Sequence, residues 1–392
     1  MLRFLTGGES HGPAVTTIVD GLPAGVPVAR EAIDADLRRR QGGYGRGGRM
    51  KIETDSAEIL SGIRHGRTLG TPVTLLVHNR DHENWADVMS PDPQPPEATE
   101  RRALRRPRPG HADLAGALKY QTTDLRNVLE RASARETTSR VAAGAVVKQF
   151  LRATGVEVRS HVLRIGSAAI ATAPVAWEAL VDIDDSPVRC ADPQIGEAMK
   201  GVIDAARKAG DTVGGVFEVI VRGLPAGLGS FAQWDRRLDG RLGQALMSIQ
   251  AVKAAAVGDG MLGGETPGSR FHDEILLDDD GVLYRPTNHA GGLEGGVTNG
   301  EEVRVQGWIK PIPTLLSPLR SVDLIKRQVE PASVERSDVC VVPAAGIVGE
   351  AMVALVIGDA LLDKLGGDSL DEILGHLDAT RAGQDPIRRG RE

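Results

Sequence analysis

Two histidines of this sequence stand in glycine turns. The stretch GGESHGPA, residues 7–14, sets Glu9, Ser10 and His11 between Gly8 and Gly12, and RPGHADLAGALKY, residues 108–120, sets His111 beside Gly110 with Arg108 close by. Imidazole is the side chain that titrates near neutral pH without help, so two turn histidines are raw material for acid–base chemistry. Arginines recur around such turns. Arg40 ends a basic run, GGYGRGGR (42–49) carries Arg46 and Arg49, and ERSDVCVVPAAG (335–346) carries Arg336 and Asp338. In ERASARETTSR (130–140), Arg131 and Arg135 accompany the hydroxyls of Ser133, Thr137 and Thr138 near a helix start. A guanidinium is a planar fork that suits carboxylate and phosphate, and a helix start with hydroxyls is a natural seat for an anion.

Three lookalike motifs fail on their surroundings. Gly8 to Gly12 spells the G-x-S-x-G elbow of a serine hydrolase, but an elbow needs a helix on its second flank. Here Ala14–Asp20 reads as a strand, so a Ser-dependent hydrolase is the remote alternative. Gly43, Gly45 and Gly48 satisfy G-x-G-x-x-G, yet a helix precedes them and a strand-like stretch follows, the reverse of a dinucleotide site. An arginine-bearing anion loop is what remains. Asp278 to Gly281 lacks the other ligands of a calcium loop and reads as a hairpin turn. The glycine-dense NHAGGLEGGVTNG (288–300) would let backbone approach a planar ligand, and KPIPT (310–314) is a stiff turn with a lysine.

The elements that must position these groups come in mixed order. Strands are expected at 2–5, 14–20, 51–60, 72–78, 156–165, 216–222 and 303–309. Helices are expected at 30–40, 135–153, 196–209, from Trp234 to Ala256, at 346–365 and at 370–380. No steady strand–helix alternation appears, which favours α+β. A strand, then GLPAG, then a basic helix occurs at 21–26 and again at 223–228, the signature of two similar halves. The 392 residues are long enough for two domains by length alone. Residues 81–110 hold six prolines and, from 101 to 108, five arginines; on composition the basic half reads as a solvated charge run.

Composition narrows the function. A net charge of −6 gives no basic surface for nucleic acid, and 3% aromatic residues give few stacking platforms. Cys190 and Cys340 form neither a disulfide framework nor a metal-ligand spacing, which fits a reducing cytoplasm and no metal. The start has no apolar run of signal-peptide length. Ile347 to Leu362, interrupted by Glu350 and Asp359, reads as a buried helix rather than a membrane span.

Together these stretches resemble the chorismate synthase family from about residue 3 to about residue 365. The resembling motifs include GESHG, GGYGRGGR, SGIRHGRTLGTPV, RPGHADLAGALKY, ERASARET, AVKAAAVGDG, AGGLEGGVTNG, KPIPT and ERSDVCVVPAAG, in that order. The resemblance implies an α+β fold, a single-body β-α-β sandwich with long helices between antiparallel sheets and pseudo-symmetric halves. It implies one domain over 1–392, with 81–110 as a flexible lid or loop excursion, in a cytoplasmic homotetramer without nucleic-acid or membrane partners. The activity implied is that of a carbon–oxygen lyase acting on phosphate. It eliminates phosphate 1,4-anti from 5-enolpyruvylshikimate 3-phosphate to give chorismate, in the shikimate pathway to the aromatic amino acids.

Reduced FMN is the implied cofactor, lending electron density to a ring whose departing proton no carbonyl activates. A bifunctional form that reduces FMN with NADPH is the nearer alternative. Carried onto this sequence, His11 is the general acid beside the leaving phosphate and Ser10 a hydrogen-bond donor. His111 lies at the flavin N1–C2=O edge, and Asp338 assists proton removal at flavin N5. Arg40, Arg46, Arg49, Arg108, Arg135 and Arg336 face the substrate's anionic groups. FMN contacts fall on Arg131, Ala132, Ser133, Gln250, Ala251, Gly295, Lys310, Pro311, Ile312, Pro313, Thr314 and Arg336. The family's NADPH contacts fall on Arg40 and Arg46.

Overall fold

Alternation along AVTTIVD buries Val15, Thr17 and Val19 and turns Ile18 outward, the mark of a strand covered on one face. The protein is described by a computed structural model covering residues 1–47, 54–171, 174–335 and 337–390. In its first half β1 (Arg3–Gly7), β2 (Ala14–Asp20) and β3 (Ala24–Pro27) lead to α1 (Arg30–Gln41), followed by β4 (Glu58–Ser61), the short β5 (Ile63–Arg64) and β6 (Arg67–Leu69), and β7 (Val73–His78). The helices α2 (Pro96–Glu100), α3 (Asp113–Tyr120) and α4 (Arg126–Ala132) then lead to the long α5 (Thr137–Ala153).

The second half repeats this plan with insertions. It runs β8 (Glu157–Ile165), β9 (Ala168–Ala169), α6 (Pro193–Lys208), β10 (Gly215–Arg222), α7 (Leu238–Met247) and β11 (Val252–Val257). Small elements follow: α8 (Gly260–Gly263), α9 (Gly268–Phe271), β12 (Leu276–Leu277), β13 (Leu283–Tyr284), β14 (Leu293–Glu294) and β15 (Val297–Thr298). The chain then forms β16 (Val303–Ile309), β17 (Arg320–Asp323), β18 (Gln328–Pro331), α10 (Val342–Leu365) and α11 (Leu370–Arg388).

The halves match strand for strand. The first sheet has the order β1-β2-β7-β4 and the second β9-β8-β10-β16-β11, both antiparallel, so β8, β10, β16 and β11 stand where β1, β2, β7 and β4 do. The two GLPAG turns are tied alike. Thr68 Oγ1 donates to Pro23 O and accepts from Val26 N, while Thr298 Oγ1 donates to Pro225 O and accepts from Leu228 N.

Between the sheets lie the long helices. α5 packs on β2 and β7, α10 on β8 and β10, and the two helices pack on each other. A Cβ at Gly144 would stand 2.4 Å from Ala351 Cα, so only glycine permits this close crossing. One hydrophobic core draws on both sheets and both helices. α10 is apolar nearly all round because it is enclosed nearly all round: 89% of its most apolar stretch is buried by the rest of the chain.

The expected helix from Trp234 to Ala256 is corrected. α7 stops at Met247, a turn follows, and residues 252–257 form β11 along β16. Alanine-rich AVKAAAV favours a helix locally, but pairing with β16 prevails, and Ala251 takes a left-handed conformation (φ 67°) at the break. Of the strand expected at 51–60, residues 51–53 lie outside the described residues and β4 begins at Glu58. Asp278 does close a hairpin, accepting at its side chain from Asp280 N and Val282 N between β12 and β13.

Candidate active site

The two halves meet at one cavity of about 530 Å³, a size suited to a small-molecule ligand. The first half supplies the β1–β2 turn, the end of α1 and the approach to α5; the second supplies the turn after α7, the end of β16 and the approach to α10. Ser10, His11, Arg40, Arg46, Arg108, His111, Arg135 and Asp338 all line it. So do Ala132, Ser133, Gln250, Ala251, Lys310, Ile312, Pro313 and Thr314.

Three expected residues are not on the wall. Arg131 lies behind it, donating to Gly8 O and Thr6 O and so fastening α4 to the β1–β2 turn. Pro311 belongs to the 310–314 turn without lining the cavity, and Gly295 sits in the β14–β15 hairpin near Phe231. Arg49 and Arg336 lie outside the described residues.

His11 is held by its backbone and its ring. Gly8 (φ 103°) closes the turn where a Cβ would meet Ala14 O at 2.4 Å. The buried carboxylate of Glu130 on α4 accepts from His11 N (2.8 Å) and from Nδ1 (2.8 Å). An ionised carboxylate only accepts, so Nδ1 carries a proton, and Nε2 has no partner among the described residues. Burial would push the Glu130 carboxyl up; hydrogen bonds and charge from His11, with Arg126 adding, more than offset it and hold it below the usual range. Among the described residues Ser10 Oγ donates to Ser133 Oγ (3.1 Å), and no nucleophile–base pair with an imidazole is seen there.

His111 repeats the pattern at the start of α3. Its Nδ1 donates to Asp113 Oδ1 (2.5 Å), and the same carboxylate accepts from Arg108 Nε at its other oxygen (2.8 Å). Arg108 also donates to Thr314 Oγ1 (3.0 Å), joining the 108–113 turn to the 310–314 turn. Burial opposes the charge on Asp113, but His111 and Arg108 hold it far below the usual carboxylate range.

Positive charge gathers around Asp55. This buried carboxylate accepts from Arg40 Nη2 (2.8 Å) and Arg135 Nη1 (2.6 Å), and Asn79 accepts from Arg135 Nε (2.7 Å). Burial, together with neighbouring Arg135 and Arg46, pulls Arg40 down to about 10 against the pull of Asp55; it stays a cation at neutral pH. Its buried Nε has no partner among the described residues. Asp338 accepts from Arg46 Nη1 (2.7 Å) and Gly47 N (2.5 Å). Next to it, burial pushes the Cys340 thiol up to about 11, which excludes a ready thiolate.

Glu130, Asp113 and Asp55 escaped the sequence reading. Asp113 had a local signal, standing two residues after His111. Glu130 opens a motif but points back at a turn 119 residues earlier, and Asp55 had none. The arginine run at 101–108 is not a simple solvated run. Arg101 pairs with Asp87, Arg102 covers Trp85, Arg105 pairs with Glu100 and Arg106 reaches Glu330.

Groups able to move protons thus face a positively charged cavity with an apolar wall, which places the chain among enzymes acting on small anionic substrates. A family model for chorismate synthase matches residues 2–362. The chain is 56% identical over 381 residues to chorismate synthase of Moorella thermoacetica, covering 97% of this chain and 98% of that one. It is 52% identical over 394 residues to that of Geobacter sulfurreducens, covering 97% and 100%. A crystal structure of chorismate synthase superposes with a TM-score of 0.76 at 40% identity, over 96% of both chains. The chain belongs to the chorismate synthase family, lyases of aromatic amino acid biosynthesis.

Proposed function

We propose that this chain eliminates phosphate 1,4-anti from 5-enolpyruvylshikimate 3-phosphate to give chorismate, with reduced FMN bound. The observation that carries the reading is the shared cavity: carboxylate-backed His11 and His111 with Arg40, Arg46, Arg108 and Arg135 on one side, and Leu129, Ile249, Ile309, Ile312, Val341 and Val348 on the wall. The substrate has two carboxylates and a phosphate, and each charge-assisted hydrogen bond to it contributes roughly 1.5–3 kcal/mol.

The residues fit a flavin. Gln250 Nε2 donates to Glu136 (2.9 Å), which leaves buried Oε1 as an acceptor without a partner among the described residues. Gln250 Oε1 would accept from an N–H of the flavin. Ala132, Ser133, Ala251 and the 310–314 turn would hold the rest, with Arg131, Gly295 and Arg336 as further proposed contacts. Reduced FMN, when bound, supplies the electron density that lets an unactivated ring release phosphate.

The chain's own groups do the remainder. Glu130 holds His11 by Nδ1 and stabilises the imidazolium, whose second proton Nε2 delivers to the departing phosphate oxygen. The arginines neutralise the leaving group and orient the ring. His111, its ring fixed by Asp113, would help to hold the flavin. Asp338, released from Arg46, receives the proton lost from the reaction centre. Trp85 and the wall exclude water. Arg40 and Arg46 are assigned to substrate rather than NADPH, because both are packed inside the cluster of Asp55 and Asp338.

The enzyme is proposed to be monofunctional, cytoplasmic and homotetrameric, fed with flavin already reduced, with 81–110 as its lid. Without air, dithionite-reduced FMN and authentic substrate should give the rise in absorbance of chorismate. Oxidised FMN with NADPH should give negligible product. Rapid product under the second condition would establish the bifunctional form, and none under the first would refute the reading.

A further inference from the structure

Trp85 lies in the proline-rich excursion between β7 and α3, yet it is 4% exposed and its ring stacks on His11, with centroids 3.9 Å apart and planes 24° from parallel. The indole also carries charge against it: the Arg102 guanidinium lies 3.7 Å from its centroid and that of Arg126 lies 5.0 Å away. The same excursion grips the backbone of the turn. Asn79 Nδ2 donates to Glu9 O (3.0 Å) and Gly12 O (2.7 Å), and His82 Nδ1 donates to His11 O (2.9 Å).

We infer that Trp85 is a positioning residue for His11. Glu130 fixes one edge of the imidazole but leaves the ring free to rock about that edge. A flat indole face against it removes this freedom, because stacked rings prefer near-parallel planes. α4 then holds the edge, while the excursion holds both backbone and plane, and Nε2 keeps one direction. Arg102 and Arg126 keep the indole from leaving the ring. The excursion therefore acts on the proton donor itself, besides covering the cavity.

This inference rests on the reading of His11 as the acid, and its test separates the two. Trp85→Met keeps bulk without a flat face and should lower kcat about 10–100-fold, with KM for the substrate nearly unchanged. Trp85→Phe, which restores a face, should recover most of the rate. The exposed Trp234→Phe serves as the unaffected control. A second readout needs no turnover: with Trp177, Trp234 and Trp308 replaced by Phe, emission from Trp85 should be quenched by the stacked imidazole, and His11→Leu should abolish that quenching. Wild-type kcat in Trp85→Met, or emission indifferent to His11→Leu, overturns the proposal. If Trp85→Met does not fold, the emission comparison decides alone. If the parent enzyme makes no product from substrate and reduced FMN, the reading of the site fails, while the emission still shows whether the stack exists.

Discussion

Arg39 and Arg40 are adjacent in α1 and serve two different charge clusters. Arg39 turns into the helix layer. There it grips Glu350 of α10 with both Nη atoms (2.8 Å each) and also reaches Asp36 and Asp184. Lys148 reaches Glu350 and Asp36, and Arg189 reaches Glu350 and Asp184, so three cations meet three carboxylates. Arg40 turns into the cavity, where it and Arg135 share Asp55 and Arg46 pairs with Asp338. The first cluster lies within the helix layer, whereas Arg40, Arg46 and Arg135 line the cavity. The cavity cluster is thus placed to meet an anion, and the balanced cluster holds α1 and α10 in place around it.

Breaking the balanced cluster should give the largest effect. Glu350→Ala leaves three cations without their central carboxylate and should cost about 3–5 kcal/mol of stability in urea unfolding. The surviving folded enzyme should keep kcat within a few-fold. Arg40→Met should do the reverse: kcat/KM falls by the equivalent of about 1.5–3 kcal/mol, while the melting temperature falls less than in Glu350→Ala because Asp55 keeps Arg135. A loss of stability in Arg40→Met comparable with that of Glu350→Ala would abolish the distinction.

Anion binding sharpens it further. Inorganic phosphate at about ten times its Kd should stabilise the parent chain by about 1.4 kcal/mol in thermal unfolding. That gain should persist in Glu350→Ala and shrink in Arg40→Met.

Acid should erode both clusters together. Burial would raise the Glu350 and Asp55 carboxyls, but Arg39 and Lys148 around one, and Arg40 and Arg135 around the other, hold them below their ordinary values of 4.5 and 3.8. The unfolded chain therefore takes up protons first as pH falls. The stabilisation is complete above those ordinary values and is lost progressively below them. Urea midpoints measured from about pH 6 to about pH 3 should drop only in the lower part of that range. The smallest effect belongs to an exposed pair: Arg3→Ala, which breaks the contact with Asp20, should shift stability by less than about 1 kcal/mol.

The elements were largely legible because their signals are local. Alternation in AVTTIVD, the all-round apolarity of α10 and the repeated GLPAG turns each arise within a few residues. The misread stretch shows the limit. Nothing in AVKAAAV says that β16 is waiting for it, so local propensity gave a helix, and the break that brings Gln250 and Ala251 to the cavity was hidden. The arginine run at 101–108 looked solvated for the same reason: Asp87, Trp85 and Glu330 are not its sequence neighbours.

By itself the sequence determined an α+β chain, glycine turns bearing two histidines, and more guanidinium than any single turn needs. Residue type and short-range spacing suffice for these. Which carboxylate meets which cation, and which of those pairs face the cavity, was settled by the packing of elements far apart in the chain. Arg39 and Glu350 are 311 positions apart, and His11 and Glu130 are 119 apart. Such pairings follow from how the two sheets enclose α5 and α10, because electrostatic interactions depend on distance and burial in space rather than on order along the chain.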